Sequence, residues 1–280
     1  MVQIFDSSLI LPTEKQLFMA VHSALITVMM NAARLAARSL TRDFGELENL
    51  QVSRKGIADF VSQADTRAED ILLEALNEGR PKYGLLLEER GVIEGSDNSN
   101  RWIVDPLDGT TNFLHGFGQF AISIGLERDR LPFAGVIYNP VSDELFWAEK
   151  GQGAWMNDRR LRVSARRDLT DCLLACGLPF AGREGRALAL AETDRVLAKT
   201  AGVRRMGSAA LDLAYTAAGR FDGYWERGLN PWDVAAGIIL VQEAGGLVGE
   251  IEKSGDPLHG PSILACNPEI FSATRKLLIG

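Results

Sequence analysis

Two stretches before residue 80 have the pattern of helices. Residues 16–33 carry no Asp, Glu, Lys or Arg, although polar side chains interrupt the run. A membrane span needs a similar length of apolar residues, but the interruptions favour a long helix with one heavily buried face, over about Thr13–Leu40. Thr66–Asn77 places apolar side chains at helical spacing and predicts a second helix.

Short apolar runs next to polar segments predict buried strands. Asp59–Asp65 has the pattern of a short strand or an extended turn. Tyr83–Glu89 contains an apolar run that ends in two acids, so it predicts a buried strand with both acids at its carboxyl end. Gly91–Asn100 is polar and predicts a loop, and Arg101–Asp105 predicts another short buried strand.

The middle of the chain has the pattern of an antiparallel meander. Three apolar segments, Ala121–Glu127, Leu131–Tyr138 and Glu144–Glu149, are separated by short turn-forming sequences. We therefore expect three consecutive strands that pair with one another.

Beyond residue 165 the pattern changes to alternating strands and helices. The expected strands cover residues 173–176, 203–206, 221–225, 247–248 and 263–265. The expected helices cover residues 185–200, 209–219 and 233–244, and a terminal helix begins at 267–268. This order predicts a layered α/β arrangement with mixed sheets.

Composition narrows the class of protein. The 280 residues are 46% hydrophobic and 24% charged, which is typical of a globular protein with one large domain or two packed halves. The formal net charge of −7 disfavours nucleic acid and anionic membranes as partners. Three cysteines and three histidines, without CxxC or HxxxH spacing, argue against zinc sites and disulfides and favour buried thiols in a cytoplasmic protein.

The segment Trp102–Phe113 contains the most informative chemistry. Asp105 and Asp108 lie three residues apart at the end of an apolar strand, and Pro106 and Gly109 favour a tight turn between and after them. Mg²⁺ prefers oxygen ligands, and such a turn can hold one or two ions with two carboxylates and a carbonyl. The following backbone N–H groups would then face a phosphate.

This motif has a simpler interpretation when it stands alone. Acids and glycine are common in turns, so an isolated DxxDG can be a strand–turn–helix whose acids only cap the helix. Other acids in equally tight segments favour the metal interpretation: Asp65, Glu88, Glu89 and Asp233. An acidic chain that acts on a phosphate also needs positive charge at its site, which bound cations can supply.

These segments together resemble the inositol monophosphatase family. Residues 105–113, DPLDGTTNF, and residues 230–237, NPWDVAAG, resemble its two signatures, and residues 60–65, FVSQAD, resemble its metal-proximal segment. The resemblance extends from about Thr13 to the C-terminus. It implies a single domain built as an α-β-α-β-α sandwich, with packed halves of about 1–165 and 166–280, and a homodimer.

The resemblance also assigns roles to individual positions. It implies two to three Mg²⁺ ions, held by Glu88, Asp105, the carbonyl of Leu107, Asp108 and Asp233. Glu88, Thr110 and Asp65 match catalytic positions: Thr110 and Glu88 orient the attacking water, and Asp65 lies near a weakly held third ion. The positions that match contacts with substrate are Asp108, Gly109, Thr110, Gly207, Ser208, Ala209, Glu226 and Asp233.

The expected activity is hydrolysis of a small phosphate monoester by metal-activated water, with lithium sensitivity and myo-inositol monophosphate as the first substrate. The same scaffold serves fructose 1,6-bisphosphate, histidinol phosphate and 3′-phosphoadenosine 5′-phosphate. Thr111-Asn112-Phe113 favours the inositol-phosphate type over the adenosine-bisphosphate type. A regulatory protein without enzymatic activity is the remaining alternative, and the complete set of acids argues against it.

Overall fold

The computed structural model describes residues 22–46, 52–56, 59–253 and 255–280. For 52–56 and 59–62 the description covers the backbone only.

Two helices form the first layer of the fold. Helix α1 spans Ala24–Gly45, and the Ser23 hydroxyl accepts a hydrogen bond from the N–H of Ile26 at its start. The predicted start at Thr13 lies outside the described residues. Within them, the helix begins at Ala24 because Ser23 caps it, and it continues beyond the predicted end at Leu40 to Gly45. Helix α2 spans Gln63–Gly79 and packs against α1. None of the helices in the described ranges is long and apolar enough to cross a membrane.

A small hairpin precedes α2. Strand β1, Val52–Gly56, pairs antiparallel with β2, Asp59–Ser62. The predicted extended segment is confirmed as far as Ser62, but the chain becomes helical at Gln63, so Asp65 lies in the first turn of α2 rather than in a strand.

The larger sheet has eight strands in the order β10-β9-β8-β7-β6-β5-β3-β4. Strands β3 and β5 are parallel, and every other neighbouring pair is antiparallel, including the predicted meander β6–β8. A short helix, α3, covers Thr110–Leu114 after β5. The strands are β3 Tyr83–Leu87, β4 Gly91–Ile93, β5 Asp97–Asp108, β6 Ala121–Arg128, β7 Leu131–Asn139, β8 Glu144–Glu149, β9 Gly153–Met156 and β10 Arg159–Arg160.

The polar loop predicted over Gly91–Asn100 is wrong. Strand β4 pairs antiparallel with β3, and β5 begins at Asp97. Backbone hydrogen bonds form this edge of the sheet, so polar and exposed side chains are tolerated and the apolar signal is missing.

The second sheet has five strands in the order β12-β11-β13-β15-β14, and helices lie between them in sequence. The predicted terminal helix begins only at Phe271, because the Asn267 side chain accepts hydrogen bonds from the N–H groups of Glu269 and Ile270 and holds a turn there. The elements are β11 Leu173–Cys176, α4 Arg186–Leu197, β12 Gly202–Arg204, α5 Ala209–Ala217, β13 Gly223–Arg227, α6 Pro231–Glu243, β14 Leu247–Gly249, β15 Ser262–Cys266 and α7 Phe271–Ile279.

The elements stack in five layers, which confirms the predicted α-β-α-β-α sandwich. Helices α1 and α2 share one apolar cluster with the eight-stranded sheet. Helices α5 and α6 lie between the two sheets in a second cluster, and α4 and α7 cover the outer face of the five-stranded sheet in a third. The division into halves near residue 165 stays a prediction, because α5 and α6 pack against both sheets.

Glycines allow α6 to lie directly on the larger sheet. A Cβ atom on Gly125 of β6 would be 2.6 Å from the Cβ of Ala235, and one on Gly135 of β7 would be 2.7 Å from the Cα and carbonyl oxygen of Ala236. Both contacts are closer than real Cβ atoms approach. This close packing fixes the distance between the larger sheet and the first turn of α6, which carries Asp233.

We expect Gly135→Ala to destabilise the protein, because its new methyl group would overlap backbone atoms of α6. Overpacking of this kind costs about 1–3 kcal/mol, and each kcal/mol lowers the melting temperature of a domain near this size by roughly 2–4 °C. Gly45→Ala is the matched control, since no atom lies within 4 Å of its added Cβ. Equal melting temperatures for the two variants in thermal denaturation would contradict the close packing.

Candidate metal centre and active-site cleft

Two of the predicted acids are brought together by parallel strands. Leu87 of β3 pairs with Val104 of β5, and the N–H of Glu88 donates to the carbonyl of Val104 over 3.2 Å. Glu88 directly follows β3 and therefore lies beside Asp105, which is near the carboxyl end of β5. Ile103 packs in the cluster that contains α6, and side chains two residues apart in a strand share a face, so Asp105 points to the side of α6.

The turn after Asp105 is held by its own side chains. The Asp105 carboxylate accepts from the N–H of Leu107 at 2.9 Å. Gly109 has φ of +95°, and a Cβ there would be 2.9 Å from the carbonyl oxygen of Gln119, so both conformation and space favour glycine. The Thr110 hydroxyl lies 3.1 Å from Asp65 Oδ1 and 3.1 Å from the carbonyl of Leu107.

Asp108 is hydrogen-bonded to the start of α5. Its Oδ2 accepts from the Ser208 hydroxyl at 2.5 Å and from the N–H of Ala210 at 2.7 Å. The Ser208 oxygen also accepts from the N–H of Leu211 at 3.3 Å and so caps the helix. One carboxylate oxygen of Asp108 is thus engaged by the protein, and the second is left for another partner.

Asp233 reaches the same place from the first turn of α6. Its carboxylate accepts from the N–H of Asn230 at 2.6 Å, which closes the turn that Pro231 begins. Carboxylate oxygens of Asp105, Asp108 and Asp233 all lie within 4.8 Å of one another.

The charges at this cluster are poorly compensated. Burial raises the pKa of Asp105 well above its usual range, and the nearby charges of Glu88, Asp108 and Asp233 raise it further. Burial raises the pKa of Asp108 to about 6, although hydrogen bonds from Ser208 and Ala210 oppose the shift. Burial also raises the pKa of Asp233, with Asp108 as the next cause. Carboxylate groups that are buried and repel one another in this way are suited to binding a hard divalent cation such as Mg²⁺.

A cleft of about 520 Å³ opens beside the cluster. The buried residues Asp65, Asp105 and Leu107 lie behind its lining. The cleft brings together all the other residues predicted for the site: Glu88, Asp108, Gly109, Thr110, Gly207, Ser208, Ala209, Glu226 and Asp233.

Glu226 lies on the wall of the cleft in β13. The Tyr224 hydroxyl is 2.5 Å from its Oε2, and the carboxyl fills the space beside Gly177, where a Cβ would be only 1.7 Å from Glu226 Cδ. Burial raises the pKa of Glu226 to about 7. The carboxyl group can therefore accept or donate hydrogen bonds near neutral pH.

Sequence reasoning missed several charged residues of the cleft wall, among them Arg183, Arg205 and Asp212. Asp212 is 1% exposed, its Oδ1 has no hydrogen bond among the described residues, and burial raises its pKa. An acid in the first turn of a helix was the available signal, but it is typical of any helix N-terminus. Nothing in the sequence distinguished the two arginines from exposed loop residues.

Comparison with known proteins identifies the family. The model of the inositol monophosphatase family matches residues 22–278. The chain therefore belongs to the inositol monophosphatase family, and its fold and relatives support hydrolysis of phosphate monoesters.

Individual relatives agree over almost their whole length. The chain is 57% identical over 254 residues to an inositol-1-monophosphatase of Mesorhizobium japonicum, covering 91% of this chain and 96% of that protein. It is 54% identical to an inositol-1-monophosphatase of Rhizobium meliloti, with coverage of 91% and 96%. The crystal structure of the extragenic suppressor protein suhB from Bartonella henselae aligns with a TM-score of 0.89 at 54% identity, covering 91% and 98%.

We expect Asp105→Asn to stabilise the metal-free protein at neutral pH, because the variant removes a carboxyl group whose ionisation is opposed by burial and by the neighbouring acids. The raised pKa values mean that the folded state retains protons which the unfolded state has already released. Metal-free stability should therefore be highest on the acidic side and fall as the pH rises from about 4 through the raised values, such as about 6 for Asp108.

Melting temperatures measured with a chelator across this pH range would test the prediction. Asp97→Asn is the control of opposite sign, since hydrogen bonds from the N–H of Ser99 and from Asn100 lower the pKa of Asp97. A lower metal-free melting temperature for Asp105→Asn at neutral pH would contradict the proposed repulsion.

Proposed function

We propose that the protein is a Mg²⁺-dependent phosphatase that hydrolyses small phosphate monoesters, with an inositol monophosphate as its preferred substrate. The observation that carries the proposal is the convergence of Asp105, Asp108 and Asp233 within 4.8 Å beside an open cleft. The names of the relatives from Mesorhizobium japonicum and Rhizobium meliloti support the substrate.

The residues that would hold two to three Mg²⁺ ions are Glu88, Asp105, the carbonyl of Leu107, Asp108 and Asp233. Mg²⁺ supplies Lewis-acid polarisation of a phosphoryl oxygen and makes water more acidic. The protein contributes a fixed set of oxygen donors. Glu88 follows β3, the donors of residues 105–108 lie in β5, and Asp233 lies in α6. Helix α5 supplies no donor of this set but hydrogen-bonds Asp108 at its start.

Thr110, Asp65 and Glu88 would act on the attacking water. A Thr110 hydroxyl that donates to Asp65 keeps its lone pairs available, so it can accept a hydrogen bond from water and orient it. Glu88 lines the cleft and can receive the proton that the water loses as it attacks phosphorus.

The remaining residues of the cleft would bind the two ends of the ester. The backbone N–H groups of Gly109 and Thr110 would bind phosphate oxygens. Glu226 and the loop Gly207–Ala209 would contact hydroxyl groups of the alcohol, with the Ser208 side chain already engaged by Asp108. A carboxyl group whose pKa is about 7 suits hydroxyl groups, which both donate and accept.

The resemblance to the family supports further proposals. We infer that the protein works in the cytoplasm as a homodimer, that Li⁺ inhibits it, and that nucleic acid and membranes are not its partners. Phosphate release at fixed Mg²⁺ with increasing Li⁺ would test the inhibition.

We expect Asp105→Asn to lower kcat for inositol monophosphate by several orders of magnitude while the fold is retained. Removing this carboxylate takes away a proposed metal ligand that lies close to Glu88 and Asp233. Phosphate release should be measured at saturating Mg²⁺ with Asp97→Asn as the control, because that partly exposed acid lies at the far end of the same strand. Near-normal turnover of correctly folded Asp105→Asn would remove Asp105 from the mechanism. Mg²⁺ binding without phosphate release from any ester would favour a regulatory protein.

A second candidate substrate is a sugar bisphosphate such as fructose 1,6-bisphosphate. Arg183 stacks on the Phe180 ring at 4.3 Å, and Arg205 lies over Gly207, so both guanidinium groups face the alcohol side of the cleft. Neither forms an ion pair with a carboxylate of the described ranges, whereas Arg227 is paired with Glu192. Guanidinium groups that are not paired with a carboxylate suit a second phosphate, although Arg183 also donates to the carbonyl of Gly228 over 3.4 Å.

A panel of phosphate esters distinguishes these candidates. It should contain inositol monophosphate, fructose 1,6-bisphosphate, histidinol phosphate and 3′-phosphoadenosine 5′-phosphate. We expect inositol monophosphate to give the highest kcat/KM.

Arg205→Gln should raise the KM for the bisphosphate more than that for the monophosphate, because only the bisphosphate offers a second anionic group. Arg167→Gln, which changes a highly exposed arginine paired with Glu269, is the matched control. Equal effects of Arg205→Gln on both substrates would argue against a second phosphate site.

A further inference from the structure

Helix α2 connects two loops of the metal centre through one of its faces. Asp65 and Glu69 lie four residues apart, so their side chains share a face of the helix. Asp65 accepts from Thr110 in the turn after β5, and Glu69 accepts from the N–H of Glu89 in the turn after β3. The helix thus contacts the segments that carry Asp105 and Glu88.

The contact of Glu69 is buried and specific. The residue is 0% exposed, and its Oε2 lies 2.8 Å from the N–H of Glu89. Its Oε1 has no hydrogen bond among the described residues and is 3.5 Å from Arg90 Nε. Next to it, the half-exposed Asp70 forms an ion pair with Arg90 at the surface. A buried carboxyl group whose second oxygen has an ion pair with Arg90 but no hydrogen bond within the described ranges costs stability, which an apolar side chain would avoid.

These contacts fix the backbone on both sides of the Glu88 side chain. The N–H of Glu88 is bound to Val104 of β5, and the next N–H along the chain is bound to Glu69 of α2. Two successive amides anchored to different elements leave the Cα of Glu88 little freedom. Without Glu69, the segment that follows Leu87 would lose its hydrogen bond to α2, and Glu88 could turn away from Asp105.

We infer that Glu69 is a positioning residue for the metal centre, which holds the Glu88 carboxylate where it can bind a divalent cation together with Asp105. Glu69 acts through the Glu89 backbone and touches neither ion nor substrate. The inference rests on the proposed function for the identity of the ion, Mg²⁺. Outer partners that orient metal ligands commonly change metal affinity by about 10–100-fold when they are removed.

Three substitutions of Glu69 separate the effects of side-chain length, charge and volume at this buried position. Glu69→Met keeps the approximate volume but cannot accept the hydrogen bond from Glu89 effectively. Glu69→Asp keeps the charge but is one methylene too short. Glu69→Gln removes the charge and keeps an acceptor of the right length. Asp70→Asn is the matched control, because it weakens the surface ion pair with Arg90 and leaves the hydrogen bond between Glu69 and the N–H of Glu89 unchanged.

The test is calorimetric titration of each metal-free protein with Mg²⁺, on samples whose folding is checked by circular dichroism. We expect Glu69→Met and Glu69→Asp to weaken Mg²⁺ binding by about tenfold or more, whereas Glu69→Gln and Asp70→Asn stay close to the parent protein. The Mg²⁺ concentration for half-maximal activity should shift in the same order, with little change in the KM for the ester.

Other outcomes overturn the inference. Parent-like Mg²⁺ affinity in folded Glu69→Met or Glu69→Asp would show that the contact is only structural. Equal weakening in Glu69→Gln and Glu69→Asp would show that charge or local packing, rather than the hydrogen bond, is what counts. If Glu69→Met does not fold, the comparison of Glu69→Asp with Glu69→Gln still decides. Absence of Mg²⁺ binding by the parent protein would instead contradict the proposed function.

Discussion

Electrostatic repulsion among a few buried carboxylates is the constraint on which the rest of the site depends. Asp105, Asp108 and Asp233 come within 4.8 Å of one another, and burial and mutual charge raise the pKa of Asp105. Such an arrangement is unfavourable for the protein alone and favourable with divalent cations. The surrounding fold must therefore supply enough rigidity to keep the acids together before an ion binds.

That rigidity comes from elements far apart in sequence. The parallel pair β3 and β5 holds Glu88 and Asp105 side by side, and α6 packs closely on the sheet at Gly125 and Gly135. Helix α2 supports the strand ends from the opposite side. Because each element is also part of an apolar cluster, the packing of the core and the geometry of the site are set by the same contacts.

Sequence reasoning succeeded where the signal is local. The strand that leads to Glu88 and the tight segment around Asp105 and Gly109 could be predicted because apolar periodicity and turn residues lie within a few positions, although β5 continues to Asp108. The convergence of Asp233 could be expected only from the family resemblance, since it depends on the contacts of Gly125 and Gly135. Strand β4 was missed because an edge strand needs no apolar pattern, and the partner of Glu69 lies twenty residues away in sequence.

The bond between Asp108 and Ser208 has a mechanical consequence. The loop proposed to contact the alcohol begins the same helix whose first residues hydrogen-bond Asp108, a proposed metal ligand. Any displacement of α5 that widened the alcohol side of the cleft would pull on Asp108 as well. Under the proposed function, a bulkier leaving group would therefore disturb the position of Asp108, so selectivity for small alcohols could arise without a side chain that blocks larger ones.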